Sequence, residues 1–245
     1  MQMLRNVMYS AINIIWIVAV TIVLGSTTIV TSFFSEKGNG PHLVARAWAR
    51  SILWVARIKV VVKGLDNLPL DAPCILMPIH QSNFDIPVLL GRLPVQFRWL
   101  AKAELFKIPI FGRGMRGCGY ISIDRSNRKS AFKSLANAAQ KIRDGASVLI
   151  FPEGTRSRDG EIRAFKKGGF VLTVDAGVPI VPIIIYGTRT IMPKGSLLMK
   201  PGDVYMEILP PVASSGYTRK TKDLLMKEVR DIICTAFDRV REKKL

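Results

Sequence analysis

The chain is poor in the residues that usually announce a reaction. Among its 245 residues are three cysteines and two histidines. Cys74, Cys118 and Cys234 are scattered, with no Cys-x-x-Cys pair. That spacing excludes a disulfide framework and a cysteine-based zinc site, and makes a reducing compartment the simpler setting. Cys74 and Cys118 sit in apolar or glycine-rich contexts and read as core thiols. No Gly-x-Ser-x-Gly elbow is present to hold a serine nucleophile. Acidic residues are scarce too: 18 Asp plus Glu stand against 36 Lys plus Arg, a formal charge of +18. Such a balance favours anionic partners, whether nucleic acid, a phospholipid surface or a phosphorylated substrate. Aromatic residues make up only 8%, and no motif interleaves them with basic residues, so nucleic acid is not an expected partner. Internal repeats, low-complexity tracts and a linker to a second domain are also lacking.

What the chain has in quantity is apolar surface. Hydrophobic residues account for 49%, which together with the positive charge points to an anionic membrane surface. Val7 through Phe34 carries no charged residue, longer than the roughly 20 apolar residues a bilayer-spanning helix needs. A signal peptide would have a shorter apolar core and a small-residue cleavage site. After Gly38-Asn39-Gly40-Pro41, a second helical pattern runs from His42 to about Lys59. It places Arg46, Arg50 and Arg57 on one face and Leu43, Ala47, Trp54 and Ile58 on another, a composition suited to a membrane interface. Residues 1–59 are thus expected to form a membrane-binding helical segment, with His42 in its membrane-facing portion. If the first helix spans, the basic residues after it place the rest in the cytoplasm. If it enters one leaflet and returns near Gly25-Ser26, the rest is again cytoplasmic.

Residues 60–245 alternate short β-like runs with helical ones. Strands are predicted at Lys59–Val62, Cys74–Ile79, Phe97–Ala101, Tyr120–Asp124, Ser147–Phe151, Ile180–Tyr186 and Val204–Leu209. Helices are predicted near Ile86–Leu90, Ser126–Arg143, Gly168–Asp175 and Thr218–Lys243. This alternation implies an α/β fold, with a largely parallel or mixed sheet flanked by helices.

Four blocks in this region carry possible chemistry. In His80-Gln81-Ser82-Asn83-Phe84-Asp85, a histidine precedes an aspartate by five positions. Residues five apart point away from each other on one helix, so the pair cooperates only if the chain turns between them. Ser82, Asn83 and Asp85 followed by Pro87 read as a turn entering a helix. A strand ending at His80 would let the carboxylate fold back on the imidazole and equip it to take a proton from a hydroxyl. A surface histidine beside a helix-capping aspartate fits the same residues. The second block, Phe151-Pro152-Glu153-Gly154-Thr155-Arg156-Ser157, follows a predicted strand, where open α/β sheets place ligands. Arg156 offers a fork of donors for a phosphate, Gly154 allows close backbone approach, and Glu153 is positioned to orient the arginine or accept a substrate hydroxyl. An ordinary charged surface turn is the alternative. The third block runs from Gly119 to Arg125, with Arg125 at a strand end. The fourth is the apolar Val178–Ile183. Ile86, Val88, Leu89, Leu105, Phe106, Ile108, Ile110 and Phe111 line an acyl channel or fill the core.

Taken in order, these blocks resemble the glycerolipid acyltransferase family, specifically the bacterial 1-acyl-sn-glycerol-3-phosphate acyltransferases of the PlsC type. The resemblance covers about Val60 to Leu209. One departure is Ile79, where many members carry an asparagine. The resemblance implies that His80, held by Asp85, deprotonates the 2-hydroxyl of lysophosphatidic acid, which attacks an acyl thioester without a covalent acyl-enzyme. Backbone amides near the turn are the expected oxyanion donors. By the same likeness Glu153, Gly154, Thr155 and Arg156 bind the phosphorylated acceptor, with Arg125 and Lys102 as further contacts. Acyl-CoA or acyl carrier protein serves as thioester co-substrate, no metal or other cofactor is expected, and the product is phosphatidic acid. The implied location is the inner membrane, with the catalytic domain facing the cytoplasm. Acyltransferases for glycerol 3-phosphate or another lysolipid, and a non-catalytic anionic-lipid-binding protein, are the alternatives. Ser82 as a covalent nucleophile is a competing role within His-x-Ser.

Overall fold

The structure, a computed structural model, describes residues 2–124 and 126–244. At its centre is a seven-stranded sheet: β1 (Lys59–Lys63), β2 (Ile75–Pro78), β3 (Phe97–Lys102), β4 (Ile121–Ile123), β5 (Ser147–Leu149), β6 (Ile180–Tyr186) and β7 (Asp203–Ile208), in the order β1-β7-β6-β2-β5-β3-β4. β6, β2, β5, β3 and β4 are mutually parallel, and β7 joins β6 antiparallel while pairing parallel with β1. The mixed sheet expected from the strand–helix alternation is therefore present. Its central strands are apolar on both faces, as helix-covered parallel strands must be. Along β2 the side chains alternate between two cores: Leu76 faces one, Ile75 and Met77 the other.

The first core is covered by α1 (Gln2–Ser32), α2 (Asn39–Val55) and α3 (Asp85–Arg92). The second is covered by α5 (Arg128–Arg143), α6 (Lys167–Ala176) and α8 (Lys222–Lys244). Two short helices, α4 (Phe111–Gly117) and α7 (Thr188–Ile191), were not anticipated. α4 reads FGRGMRG, a poor helix by propensity. Its glycines serve proximity instead. A Cβ on Gly112 would lie 2.3 Å from the Phe106 carbonyl oxygen, and one on Gly117 would lie 2.8 Å from Ser32 Cβ on α1.

α1 and α2 form an antiparallel hairpin tied by Tyr9 Oη donating to the Ala56 carbonyl and Trp48 Nε1 donating to Thr21 Oγ1. α1 runs unbroken through Gly25-Ser26, so the chain returns at residues 33–38 and not in mid-helix. Its polarity is inverted. Its buried residues are Ser10, Asn13, Val20 and Thr28, whereas Ile12, Ile15, Val18, Ile22 and Val30 are exposed. On α2, Leu43 and Trp54 are exposed as well, but Ile58 belongs to the core. Arg46 and Arg50 do not form a free basic face: they donate to the Pro94 and Gly91 carbonyls at the end of α3. His42 is not membrane-facing. It is fully buried, with Nδ1 3.0 Å from Tyr120 Oη, and burial lowers its pKa to about 3.

The hairpin turn is anchored by Arg98, a buried arginine on β3. Its guanidinium donates to the Lys37 and Phe97 carbonyls and to Asn39 Oδ1. Arg98→Met would leave the Lys37 and Asn39 acceptors without this donor. A loss of about 2–3 kcal/mol is expected, read as a lower denaturation midpoint of the detergent-solubilised protein; an unchanged midpoint would show that the anchor contributes nothing.

Candidate active site

Parallel strands share one C-terminal edge, and the order β6-β2-β5-β3 determines which loops become neighbours there. Thr188 follows β6, His80 follows β2, the loop 151–157 follows β5, and Lys102 ends β3. Residues far apart in sequence are thereby set in a row where ligands of such sheets bind.

Between β2 and α3 the chain makes the turn that the spacing of His80 and Asp85 required. His80 Nδ1 lies 2.8 Å from Asp85 Oδ2. The same oxygen accepts the Gln81 and Ser82 backbone N–H groups at 2.8 and 2.9 Å, and Oδ1 accepts the Thr188 hydroxyl at 2.5 Å. Asp85 is fully buried. A carboxylate that collects donors on both oxygens requires Nδ1 to be the protonated nitrogen, which leaves the Nε2 lone pair available as a base. The imidazole also stacks on Phe151, with ring centroids 3.7 Å apart and planes 13° from parallel. Ser82 is turned away from this chemistry. It is fully buried, and its hydroxyl donates to the Met192 carbonyl at 2.7 Å while accepting from Phe84 N.

The loop after β5 is bound to His80 from both sides. Glu153 Oε1 accepts the His80 N–H at 2.8 Å, and Ser157 N–H donates to the His80 carbonyl at 2.8 Å. Glu153 Oε2 accepts from Arg163 N at 2.9 Å. Glu153 is thus a buried buttress with each carboxylate oxygen spent on a backbone amide, whereas Gly154, Thr155 and Arg156 face a cavity. Gly154 adopts φ +72°, a conformation open to glycine, which turns the loop toward that cavity. Lys194 Nζ donates to Thr155 Oγ1 at 3.2 Å and to the Arg156 carbonyl at 2.7 Å. Desolvation, with Arg158, Arg163 and Arg156 nearby, lowers the pKa of its ammonium, against a smaller opposing effect of Glu153. Lys102 lines the cavity and pairs with Glu104 at 2.9 Å. Arg125 lies outside the described residues.

The cavity holds about 590 Å³, within the range of small-molecule sites. His80, Asn83, Lys102, Thr155 and Arg156 contribute its polar lining. The remaining wall is mostly apolar and comes largely from the N-terminal hairpin and α4: Leu24, Trp48, Phe111 and Met115, joined by Ile86, Leu90 and Leu100, with Thr21, Thr28 and Tyr120 among them. Of the residues weighed for an acyl channel, Ile86, Leu105 and Phe111 line it, whereas Val88, Leu89 and Phe106 are buried core and Ile108 is exposed. The amides of His80, Gln81 and Ser82 are not positioned as oxyanion donors, because they already point at Glu153 and Asp85. The contributions of Thr188, Lys194 and α1 had no local signature in the sequence. Among the described residues no cluster of metal-ligating side chains occurs.

The chain belongs to the acyltransferase family, whose profile matches residues 59–186. A 1-acyl-sn-glycerol-3-phosphate acyltransferase of Borreliella burgdorferi is 30% identical over 199 residues, covering 81% of this chain and 80% of that protein. A chloroplastic protein of the same name from Brassica napus is 36% identical over 91% of this chain. The chain spans 64% of the length of that relative. The crystal structure of the 1-acyl-sn-glycerophosphate acyltransferase PlsC from Thermotoga maritima superimposes with a TM-score of 0.84 at 28% identity, covering 98% of each chain.

Burial raises the Glu153 pKa to about 7, more than its two backbone hydrogen bonds lower it, and Asp85 adds to the rise. A carboxyl whose folded pKa lies above its unfolded value of 4.5 binds more protons in the folded state. Its contribution to stability is full below pH 4.5 and is lost as the pH rises through about 7, a change on the order of 3 kcal/mol. Glu153→Gln, which cannot ionise, is expected to flatten the stability slope between pH 5 and pH 7. Denaturant titrations at the two pH values check this; an unchanged slope would contradict it.

Proposed function

We propose that the protein transfers an acyl chain from a thioester to the 2-hydroxyl of 1-acyl-sn-glycerol 3-phosphate, forming phosphatidic acid. The observation that carries this reading is that one cavity joins the His80 base, the cationic Thr155–Arg156 loop and a wall apolar enough for hydrocarbon. The acceptor has the matching three parts: a hydroxyl, a phosphate and an acyl chain.

In this reading Arg156, with Lys102 at the rim, binds the phosphate and sets the 2-hydroxyl against His80. Nε2 takes the hydroxyl proton as oxygen attacks the thioester carbonyl. The tetrahedral intermediate collapses with cleavage of the C–S bond, and the imidazolium returns its proton to the departing thiolate. Asp85 stabilises the imidazolium in between. A thioester already has a good leaving group, so activating the hydroxyl suffices. With the His80, Gln81 and Ser82 amides spent, Asn83 and the Thr155 hydroxyl in the cavity lining are the donors for the oxyanion. The donor is acyl-CoA or acyl carrier protein, both anionic and suited to the basic surface.

The inverted polarity of α1 supports a membrane location. Its exposed apolar face, Phe33, Phe34 and Trp54 make a patch too large for a surface in water. α1 is held to the rest of the chain by the Met199 N–H donating to Ser10 Oγ near its start, and packs closely on α4 through Thr28 and Ser32 near its end. The helix therefore lies along the domain, with its outer face in one leaflet. The water-soluble thioester and the three free cysteines support a location at the inner membrane with the site facing the cytoplasm.

Purified protein assayed with a thioester donor is expected to acylate 1-acyl-sn-glycerol 3-phosphate in preference to glycerol 3-phosphate and other lysolipids. His80→Ala should lower turnover by about 100-fold or more while binding to anionic vesicles persists. Preference for another acceptor would overturn the substrate assignment, and near-normal turnover by His80→Ala would overturn the base.

A further inference from the structure

The site is bordered on one side by residues 187–199, part of the connection from β6 to β7, which lie outside the four recognised motifs. This segment touches three separate parts of the machinery. Thr188, fully buried, donates its hydroxyl to Asp85 Oδ1. Lys194 donates to Thr155 Oγ1 and to the Arg156 carbonyl. Met199 N–H donates to Ser10 Oγ at 2.7 Å, which ties the segment to α1. The Met192 carbonyl also accepts the Ser82 hydroxyl within the catalytic turn.

We propose that this connection is a positioning element for both halves of the reaction, with Thr188 setting the base and Lys194 setting the phosphate loop. The inference rests on the acyl-transfer reading above and adds two residues to it.

For Thr188 the argument is rotational. Asp85 Oδ2 is fixed by His80 and two backbone amides, but Oδ1 has the Thr188 hydroxyl as its partner. That fourth bond sets the plane of the carboxylate, and the plane sets the direction of the imidazole through the Nδ1 bond. A threonine also has a restricted χ1, so its hydroxyl is held in place by its own side chain as well as by burial. Because Asp85 reaches the substrate only through His80, loss of Thr188 should act on the chemical step and leave binding alone.

Lys194 acts at the other end. An ammonium has three donors and no acceptor, so its bond to Thr155 Oγ1 occupies a lone pair of that oxygen. The Thr155 hydroxyl proton is then directed elsewhere, and the residue lines the cavity. The stronger bond, to the Arg156 carbonyl, fixes the backbone from which the Arg156 side chain extends. Loss of Lys194 should therefore weaken recognition of the phosphorylated acceptor.

The test is a kinetic split in the full-length protein with 1-acyl-sn-glycerol 3-phosphate as acceptor. Thr188→Val keeps the shape and removes the hydroxyl; it is expected to lower kcat about 10-fold or more with little change in acceptor KM. Thr188→Ser restores the donor and should recover most of that loss. Lys194→Met is expected to raise the acceptor KM about 10-fold with a smaller effect on kcat. Melting temperatures of all three variants identify any that fail to fold, and for such a variant Thr188→Ser or Lys194→Arg, compared with wild type, decides. If the wild type does not use this acceptor, the functional reading fails. If it does, and Thr188→Val matches wild type, Thr188→Ser fails to rescue, or both substitutions change kcat and KM alike, the proposal is overturned.

Discussion

Everything at this site depends on one buried carboxylate that collects four donors. Asp85 gathers His80, two amides of its own turn and the Thr188 hydroxyl. Such a cluster is satisfied only when the ends of β2 and β6 and the start of α3 are all in place. It therefore makes the geometry of the base a consequence of the sheet order. A buried carboxylate without these partners would be costly; with them it orients an imidazole and stabilises its charged form.

The same edge of the sheet fastens His80 to the loop after β5. Glu153 and Ser157 hold the His80 backbone through its N–H and its carbonyl, so that loop and the histidine move together. If the loop binds the phosphate of the acceptor, as proposed, this fixed separation sets the acceptor hydroxyl against His80. The hydrocarbon part is accommodated by a different device. α1 and α2 present apolar residues both to the cavity and to the exterior, while Ser10, Asn13 and Thr28 of α1 are spent on carbonyls of their own helix and, for Ser10, on Met199.

Much of this was legible in the sequence, for identifiable reasons. All seven strands were foreseen because the central ones are uninterrupted apolar runs between turn residues. The turn from His80 to Asp85 was readable because a five-residue spacing excludes a single helix. α4 was not, since Gly112, Gly114 and Gly117 look like helix breakers until Phe106 is seen against the first and α1 against the other two. The direction of Glu153 was not either. A carboxylate beside an arginine in a loop invites a role toward ligand, and burial at 2% exposure with two backbone donors can be known only in three dimensions. Arg46 and Arg50 followed helical periodicity, but their partners on α3 lie some 40 residues away. Thr188 and Lys194 belong to a connection with no motif of its own, and sheet order alone brings them to Asp85 and Arg156.

The central claim is that Asp85 fixes His80 with its proton on Nδ1 and a free lone pair on Nε2. Nitrogen-15 NMR of histidine-labelled protein reads this directly, because the chain has only two histidines and His80→Ala assigns their signals. At a pH where the imidazole is neutral, the account predicts that His80 shows a protonated Nδ1 and an unprotonated, pyridine-like Nε2, and that Asp85→Asn disturbs this state. A His80 found mainly protonated on Nε2 in the wild type would contradict it.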